Sequence, residues 1–285
     1  GMLMRFRLDE IGILSDIEKA FPQILVHPSD RDVCRLLWFK NITNPVVTPD
    51  NIIVLRQARV GFGVVSSPFE LMATIRHHLK QPHIACPIAK EIAGNIYVDN
   101  VLVVKPNLEQ ALEFYRAAKE IFEKAGMNLR EWSSNSKEFT AMLPEKDKAT
   151  GEVLKVLGLK WHLETDEITL PDPKLADFVI KTKRHFLHAI AKVFDPLGLF
   201  APYTASGKIL LQDLWKANLA WDDPLPESFL RQTENVRSML ENIHSYKLPR
   251  IVGPFKVEGQ KVELHCFTDA SARIYAAVVY VRIIE

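Results

Sequence analysis

The stretch Gly94-Asn95-Ile96-Tyr97-Val98-Asp99-Asn100-Val101-Leu102-Val103-Val104 decides how the chain is read. Two runs of β-branched and aromatic residues flank an Asp-Asn pair, the pattern of a tight β-hairpin. The apolar flanks bury. The tip cannot, so Asp99 is held on a rigid support facing a cleft, as a natural ligand for a hard cation. On this stretch alone an ordinary turn, with Asp and Asn serving backbone geometry, is the simpler account of the pattern.

Working outward, Ile11–Phe21 opens as a strand in which Ile13, Ser15 and Ile17 share one face and Leu14, Asp16 and Glu18 the other. Asp16 is a carboxylate inside an apolar strand and needs a cation or a hydrogen-bonded partner, unless it caps a short helix at Lys19–Gln23. Further strands are expected at Val33–Phe39 and Ile52–Arg59. A Gly-rich loop follows, Gly61-Phe62-Gly63, with Ser66 or Ser67 capping a helix that runs to about Lys80. His77 and His78 are adjacent and do not share a helix face, so they read as surface residues rather than metal ligands.

Asn107–Ala125 is the strongest helix, its apolar stripe a core face and Gly126 its stop. Asn128–Trp132 reads as a short strand, and Val153–Leu163 with Glu167–Leu170 as a hairpin. Helices follow from Thr182, over Pro202–Leu219 and over Glu227–Leu240. Arg250–Pro254 reads as a linker, before two paired strands at Gln260–Thr268 and Ala276–Ile284.

Composition narrows the classes without choosing one. The 285 residues suffice for about two domains, and 36 Lys plus Arg against 35 Asp plus Glu give no global basic bias, so a nucleic-acid surface would have to come from local clustering. Cys34, Cys86 and Cys266 lack metal-ligand spacing and read as reduced thiols of a non-secreted protein. No apolar run approaches a membrane span, and no membrane partner is expected. The fold class is α+β, an antiparallel sheet with helices on one face. In such a sheet the Asp16 strand and the Asp99 hairpin can be neighbours, two carboxylates that repel unless a divalent cation lies between them.

Several segments resemble a known family. Ser15-Asp16-Ile17-Glu18-Lys19-Ala20-Phe21, the Phe62-Gly63…Ser67-Pro68 loop and Tyr97-Val98-Asp99-Asn100 resemble the palm motifs of retroelement reverse transcriptases. Leu157-Gly158-Leu159-Lys160-Trp161 resembles the primer-grip hairpin that follows them. Val193–Pro202 and Leu214-Trp215…Trp221–Pro226 are similar to the BEL/Pao class of LTR retrotransposons, and Phe267-Thr268-Asp269-Ala270-Ser271 resembles the first strand of a ribonuclease H domain.

The resemblance implies a ferredoxin-like palm over 10–180, a helical thumb or connection region over 181–250 and a truncated ribonuclease H-like β segment over 251–285. It implies that Asp16 and Asp99 ligate Mg²⁺ or Mn²⁺, with Asn100 completing the catalytic set. Phe21 would reject a ribose 2′-hydroxyl, and Phe62 and Gly63 would border the incoming nucleotide. Tyr97, Leu157, Gly158 and Trp161 would contact the primer. The implied partners are an RNA template with a DNA primer, deoxynucleoside triphosphates and the remainder of a polyprotein, in the cytoplasm, in virus-like particles, or in the nucleus.

The chain departs from the family pattern at Asn100, where a second Asp is usual, and at Gly61, where Pro is usual. The fingers segment is expected to be missing, and with Asp269 alone ribonuclease H activity is expected to be absent. A non-catalytic remnant that binds nucleic acid or a protein partner is the competing reading. An aspartic peptidase would need Asp-Thr-Gly or Asp-Ser-Gly, and neither occurs.

Overall fold

The computed structural model describes residues 1–253 and 261–284. A short helix α1 (Met2–Arg5) opens the chain, which then divides into two compact units. One comprises Ile11–Thr150 with Met2; the other comprises Gly1, Leu3–Glu10 and Gly151–Glu285. The break at Thr150–Gly151 lies well before residue 180, so the 153–162 hairpin belongs with the later helices.

The first unit contains β1 (Ile11–Ile17), the helical turn α2 (Ala20–Gln23), β2 (Arg35–Phe39), β3 (Ile52–Arg56), α3 (Ser67–Leu79), α4 (Pro87–Gly94), β4 (Ile96–Tyr97), β5 (Asn100–Lys105), α5 (Leu108–Glu123), β6 (Leu129–Ser134) and α6 (Lys137–Met142). Its main sheet is antiparallel in the order β4-β5-β1-β6. One face carries Ile11, Ile13, Ile17, Val101, Val103 and Leu129 into a core with Leu71 and Ile75 of α3, Ile92 of α4 and Phe114, Ala118 and Ile121 of α5. This follows from period-2 burial on the strands meeting a helical stripe.

Local chemistry fixes the ends of α5. Asn107 caps it by accepting from the Gln110 N–H, and Gly126, at φ 69°, ends it while the Met127 and Gly126 N–H groups return to the Phe122 and Glu123 carbonyls. The cap expected at α3 takes another form. Ser66 occupies the N-cap position without a side-chain bond, and Ser67 instead donates its hydroxyl to the Gly61 carbonyl (2.6 Å), tethering the Gly-rich loop. β2 and β3 pair only with each other, and most of their residues are exposed.

The second unit contains β7 (Val153–Val156), β8 (Leu159–His162), β9 (Glu167–Thr169), α7 (Lys183–Ala191), α8 (Ala201–Lys216), α9 (Glu227–Glu241), β10 (Leu248–Pro249), β11 (Lys261–Ala270) and β12 (Tyr275–Ile284). β7 to β10 form an antiparallel sheet in the order β10-β9-β8-β7. Leu157 and Gly158 turn β7 into β8 with φ of 47° and 91°, both left-handed as a two-residue hairpin turn demands. Gly158 is doubly required, because a Cβ there would sit 2.3 Å from the Phe194 ring.

The expected linker at Arg250–Pro254 is corrected. Pro254 lies outside the described residues, and Arg250 is one of the most deeply buried side chains, with no solvent exposure. Its guanidinium forms a fork with Asp166 (2.7 and 2.9 Å) and donates to the Phe6, Asp9 and Glu10 carbonyls. The Phe6 and Trp161 rings pack edge to face beside it. A charged residue next to Pro reads as solvated loop because sequence pattern does not reveal a distant carboxylate partner. The final strands do pair, over Lys261–Ala270 and Tyr275–Ile284, with Gln260 outside the described residues. The hairpin they form is exposed along nearly its whole length.

Removing one partner of a buried ion pair strands the other. Arg250→Met is therefore expected to destabilise the second unit by about 3 kcal/mol, read as an earlier urea transition of the full chain, whereas Arg184→Met, which breaks an exposed pair with Asp222, leaves the transition nearly unmoved.

Candidate active site

The candidate residues of the first unit converge through strand register. Tyr97 of β4 pairs with Asn100 of β5, Asn100 with Asp16 of β1, and Asp16 with Arg130 of β6. Directly paired residues project from the same face of a sheet, so Tyr97, Asn100, Asp16 and Arg130 form one row across all four strands, on the face opposite the Ile13 and Ile17 core. Asp16 does not cap the helical turn after it. Lys19 occupies that cap, at φ 49°, without a side-chain bond.

The turn next to this row differs in detail from the reading of Asp99-Asn100 as the tip. The two central residues are Val98 and Asp99, and Asn100 already belongs to β5. Val98 has φ 57°, a position that favours Gly and strains a β-branched residue. The Ile17 N–H donates to the Asp99 carbonyl (2.9 Å), which brings the turn up against the end of β1. The Asn100 amide donates to Asp99 Oδ1 (2.8 Å). Asn100 thereby orients the Asp99 carboxylate.

The electrostatics mark the pair. Burial, then the nearby Asp99 and Glu131 carboxylates, push Asp16 up to about 6, against a smaller opposing pull from Arg130. Two carboxylates that disfavour each other's charge suit a shared divalent cation, which typically takes one or two protein carboxylates and completes its shell with water and phosphate oxygens. Among the described residues no group of three or more His, Cys, Asp or Glu forms a closed metal cage.

Arg130 and Glu131 are the residues that sequence reasoning missed. β6 carries one extra residue between the partners of Leu14 and Asp16, a bulge in which Glu131 adopts φ 52°. Glu131 and Asp16 flank Arg130, with Glu18 the third carboxylate near it. The signal was present, since Asp16 required a cationic neighbour and the predicted 128–132 strand contained one.

Phe21 and Phe62 meet edge to face at 5.2 Å, bringing the strand-end aromatic and the Gly-rich loop together. Phe21 is half-buried against the core, and Phe62 is exposed. Gly63 adopts φ 79°, open to a glycine and strained for other residues. In the second unit, Leu157 and Gly158 occupy the outer turn. Trp161 is fully buried and donates its indole N–H to Asp166 (2.9 Å), so it can support the hairpin but does not present a surface to a ligand. Asp269 lies near the end of the exposed β11, where its carboxylate accepts from the Ala270 N–H.

Comparisons with known proteins add two findings. Residues 182–285 match the family described as Pao retrotransposon-like RNaseH-like domain, a span that runs unbroken through Arg250. The chain is similar in fold to a foamy viral protease-reverse transcriptase dRH solved in complex with double-stranded DNA, with a TM-score of 0.60 and 12% identity over 98% of this chain. The chain spans 42% of that longer chain. No curated protein matches. No helix among the described residues is long and apolar enough to cross a membrane. The chain is thus a mixed α+β protein with antiparallel sheets, related in its C-terminal part to retrotransposon sequences and in fold to a viral reverse transcriptase.

The raised Asp16 carboxyl fixes the sign of a pH effect. The folded state keeps this proton up to about 6, while the unfolded chain releases it near 4, so between these values folding takes up protons and stability falls as pH rises. Asp16→Asn is expected to remove that fall, measured as the difference between the variant's and the wild type's melting temperatures from pH 4 to pH 7.

Proposed function

We propose that the chain is the polymerase core of a BEL/Pao-type retroelement polyprotein, built for RNA-templated DNA synthesis. The observation that carries this reading is the proximity of Asp16 and Asp99, brought together by the Ile17–Asp99 backbone bond, with the Asp16 carboxyl raised by burial and then by the nearby Asp99 charge. In this reading the first unit is the palm, and α7 to α9 belong to a thumb or connection region. Mg²⁺ or Mn²⁺ held by Asp16 and Asp99 would supply the positive charge that favours ionisation of a primer 3′-hydroxyl and offsets charge on the departing pyrophosphate.

The protein's own groups do the positioning. Asn100 aims the Asp99 carboxylate. Phe21, braced by the core behind it and Phe62 beside it, walls the space next to a nucleotide sugar and excludes a 2′-hydroxyl. The Gly61–Gly63 backbone, tied down by Ser67, lines the approach of base and template. Tyr97, exposed at the end of the row, meets the primer terminus, and the Leu157-Gly158 turn touches the primer strand with Trp161 as its buried support. RNA template, DNA primer and deoxynucleoside triphosphates are the partners, together with the rest of the polyprotein. The three cysteines are free thiols, in keeping with a cytoplasmic or nuclear setting.

Primer extension on an RNA template with Mg²⁺ or Mn²⁺ tests the reading. Incorporation by the wild type is expected to fall by at least about 100-fold in Asp16→Ala and in Asp99→Ala, the scale set by losing a group that stabilises transition-state charge. Equal incorporation by wild type and variants rules the reading out. Asn100 favours the second reading, a fold that binds nucleic acid without catalysis, because it supplies an amide where two-metal sites use a carboxylate. Salt-dependent binding to an RNA–DNA hybrid without incorporation would select it. Phe21→Ala is expected to raise ribonucleotide use relative to deoxynucleotide use by about tenfold or more, as removing a steric exclusion does; an unchanged ratio would make Phe21 a core aromatic only.

A further inference from the structure

We propose that Arg130 is the resident counter-ion of the Asp16–Asp99 pair and that it sets the pair's affinity for divalent cations. The inference rests on reading that pair as a cation site. It starts from an anomaly in how Arg130 is bonded. Its Nε lies 3.9 Å from Asp16 Oδ2, its Nη1 3.6 Å from Glu18 Oε1 and its Nη2 3.5 Å from Glu131 Oε1. All three separations exceed a normal N–H···O bond. The Nε atom is buried and has no hydrogen-bond partner among the described residues.

Arg184 and Arg250 each hold one carboxylate in a close two-point fork. Arg184 grips Asp222 at 2.8 and 2.9 Å, and Arg250 grips Asp166 at 2.7 and 2.9 Å. Arg130 is instead suspended among three carboxylates and bonded closely to none. Such a cation neutralises a cluster without occupying the lone pairs of any member. Asp16 keeps its oxygens available, and its charge is partly compensated while no metal is present.

The carboxylates around the guanidinium are Asp16 and Glu18 at the β1 end and Glu131 of the bulge, with Asp99 of the turn near Asp16. Asn128 donates to Glu18 (3.1 Å) and accepts from Lys119 (2.7 Å), which places a second cation behind Glu18, while Arg130 is the cation paired with Asp16 among the described residues. A divalent ion entering between Asp16 and Asp99 therefore arrives beside an existing positive charge. The guanidinium lowers affinity for the ion and keeps the empty site from flying apart.

The test is binding of Mn²⁺ alone to the full chain, read by electron paramagnetic resonance of free Mn²⁺ at pH 8 and low ionic strength, where Asp16 is ionised. Arg130→Gln is expected to bind Mn²⁺ roughly tenfold more tightly than wild type, the size of effect a unit charge a few ångströms from a divalent ion exerts in a water-rich medium. Arg130→Lys, which keeps the charge, is expected to stay within about threefold of wild type, and far-UV circular dichroism checks that both variants fold. Asp99→Asn is expected to lose the site. Equal or weaker binding by Arg130→Gln, with binding still lost in Asp99→Asn, overturns the counter-ion role and leaves the cation site standing. Absence of Mn²⁺ binding in both wild type and Arg130→Gln overturns the site itself and the inference with it.

Discussion

One backbone hydrogen bond, from the Ile17 N–H to the Asp99 carbonyl, constrains everything around the candidate site. It closes the turn of one hairpin onto the end of the neighbouring strand and holds the Asp99 carboxylate where its charge adds to the effect of burial in raising the Asp16 carboxyl. The strain that follows is local and visible. Val98 is forced to φ 57°, Glu131 to φ 52° in the bulge of β6, and Lys19 to φ 49° just beyond β1. Three non-glycine residues in left-handed geometry within one sheet end are the kind of outliers that packing must over-determine, and they surround the acidic pair. The continuous core beneath the sheet, from Ile13 to Phe114, is what can bear them.

Much of this was legible beforehand, for physical reasons. The α5 stripe, its Asn107 cap and its Gly126 stop are local signals that tertiary structure had no reason to override. The alternation in β1 separated Ile13 and Ile17 from Asp16, and the hairpin run around Asp99 was strong enough to establish a turn. The turn's register was one residue off, because Val at a left-handed position is what propensity argues against. The Asp16–Asn100 pairing could be anticipated from two strands needing to be neighbours, whereas Arg130 came from a third strand assigned no chemistry. Ser67 looked like a cap and proved to be a tether for Gly61, a contact between residues six apart that cap rules do not describe.

The second unit shows the larger failure of local reasoning. Trp161, which the resemblance implies to contact the primer, is fully enclosed. Arg250 looked like the start of a linker and is the polar centre of the unit. The linker reading failed because of the pairing of Arg250 with Asp166 across 84 residues of chain, and Trp161 donates to the same carboxylate. Neither residue carries a pattern that names the other. The match of 182–285 to one retrotransposon-type family is in keeping with this, since a span that runs through Arg250 does not treat it as a boundary.

The Arg250 cluster also orders events during synthesis. Residues 11–150 form a continuous unit whose partners have all emerged once Thr150 leaves the ribosome. The segment Leu3–Glu10 is made before that unit, but its carbonyls at Phe6, Asp9 and Glu10 receive their guanidinium only after Arg250 is translated, 240 or more residues later. These carbonyls therefore meet the guanidinium only after residues 11–150 have been completed. Closing so long a loop adds an entropic cost that grows only slowly with its length. The delay is set by translation, at about 5–20 residues per second, so the second unit is assembled on the timescale of the ribosome and is the part most exposed to interception before it closes.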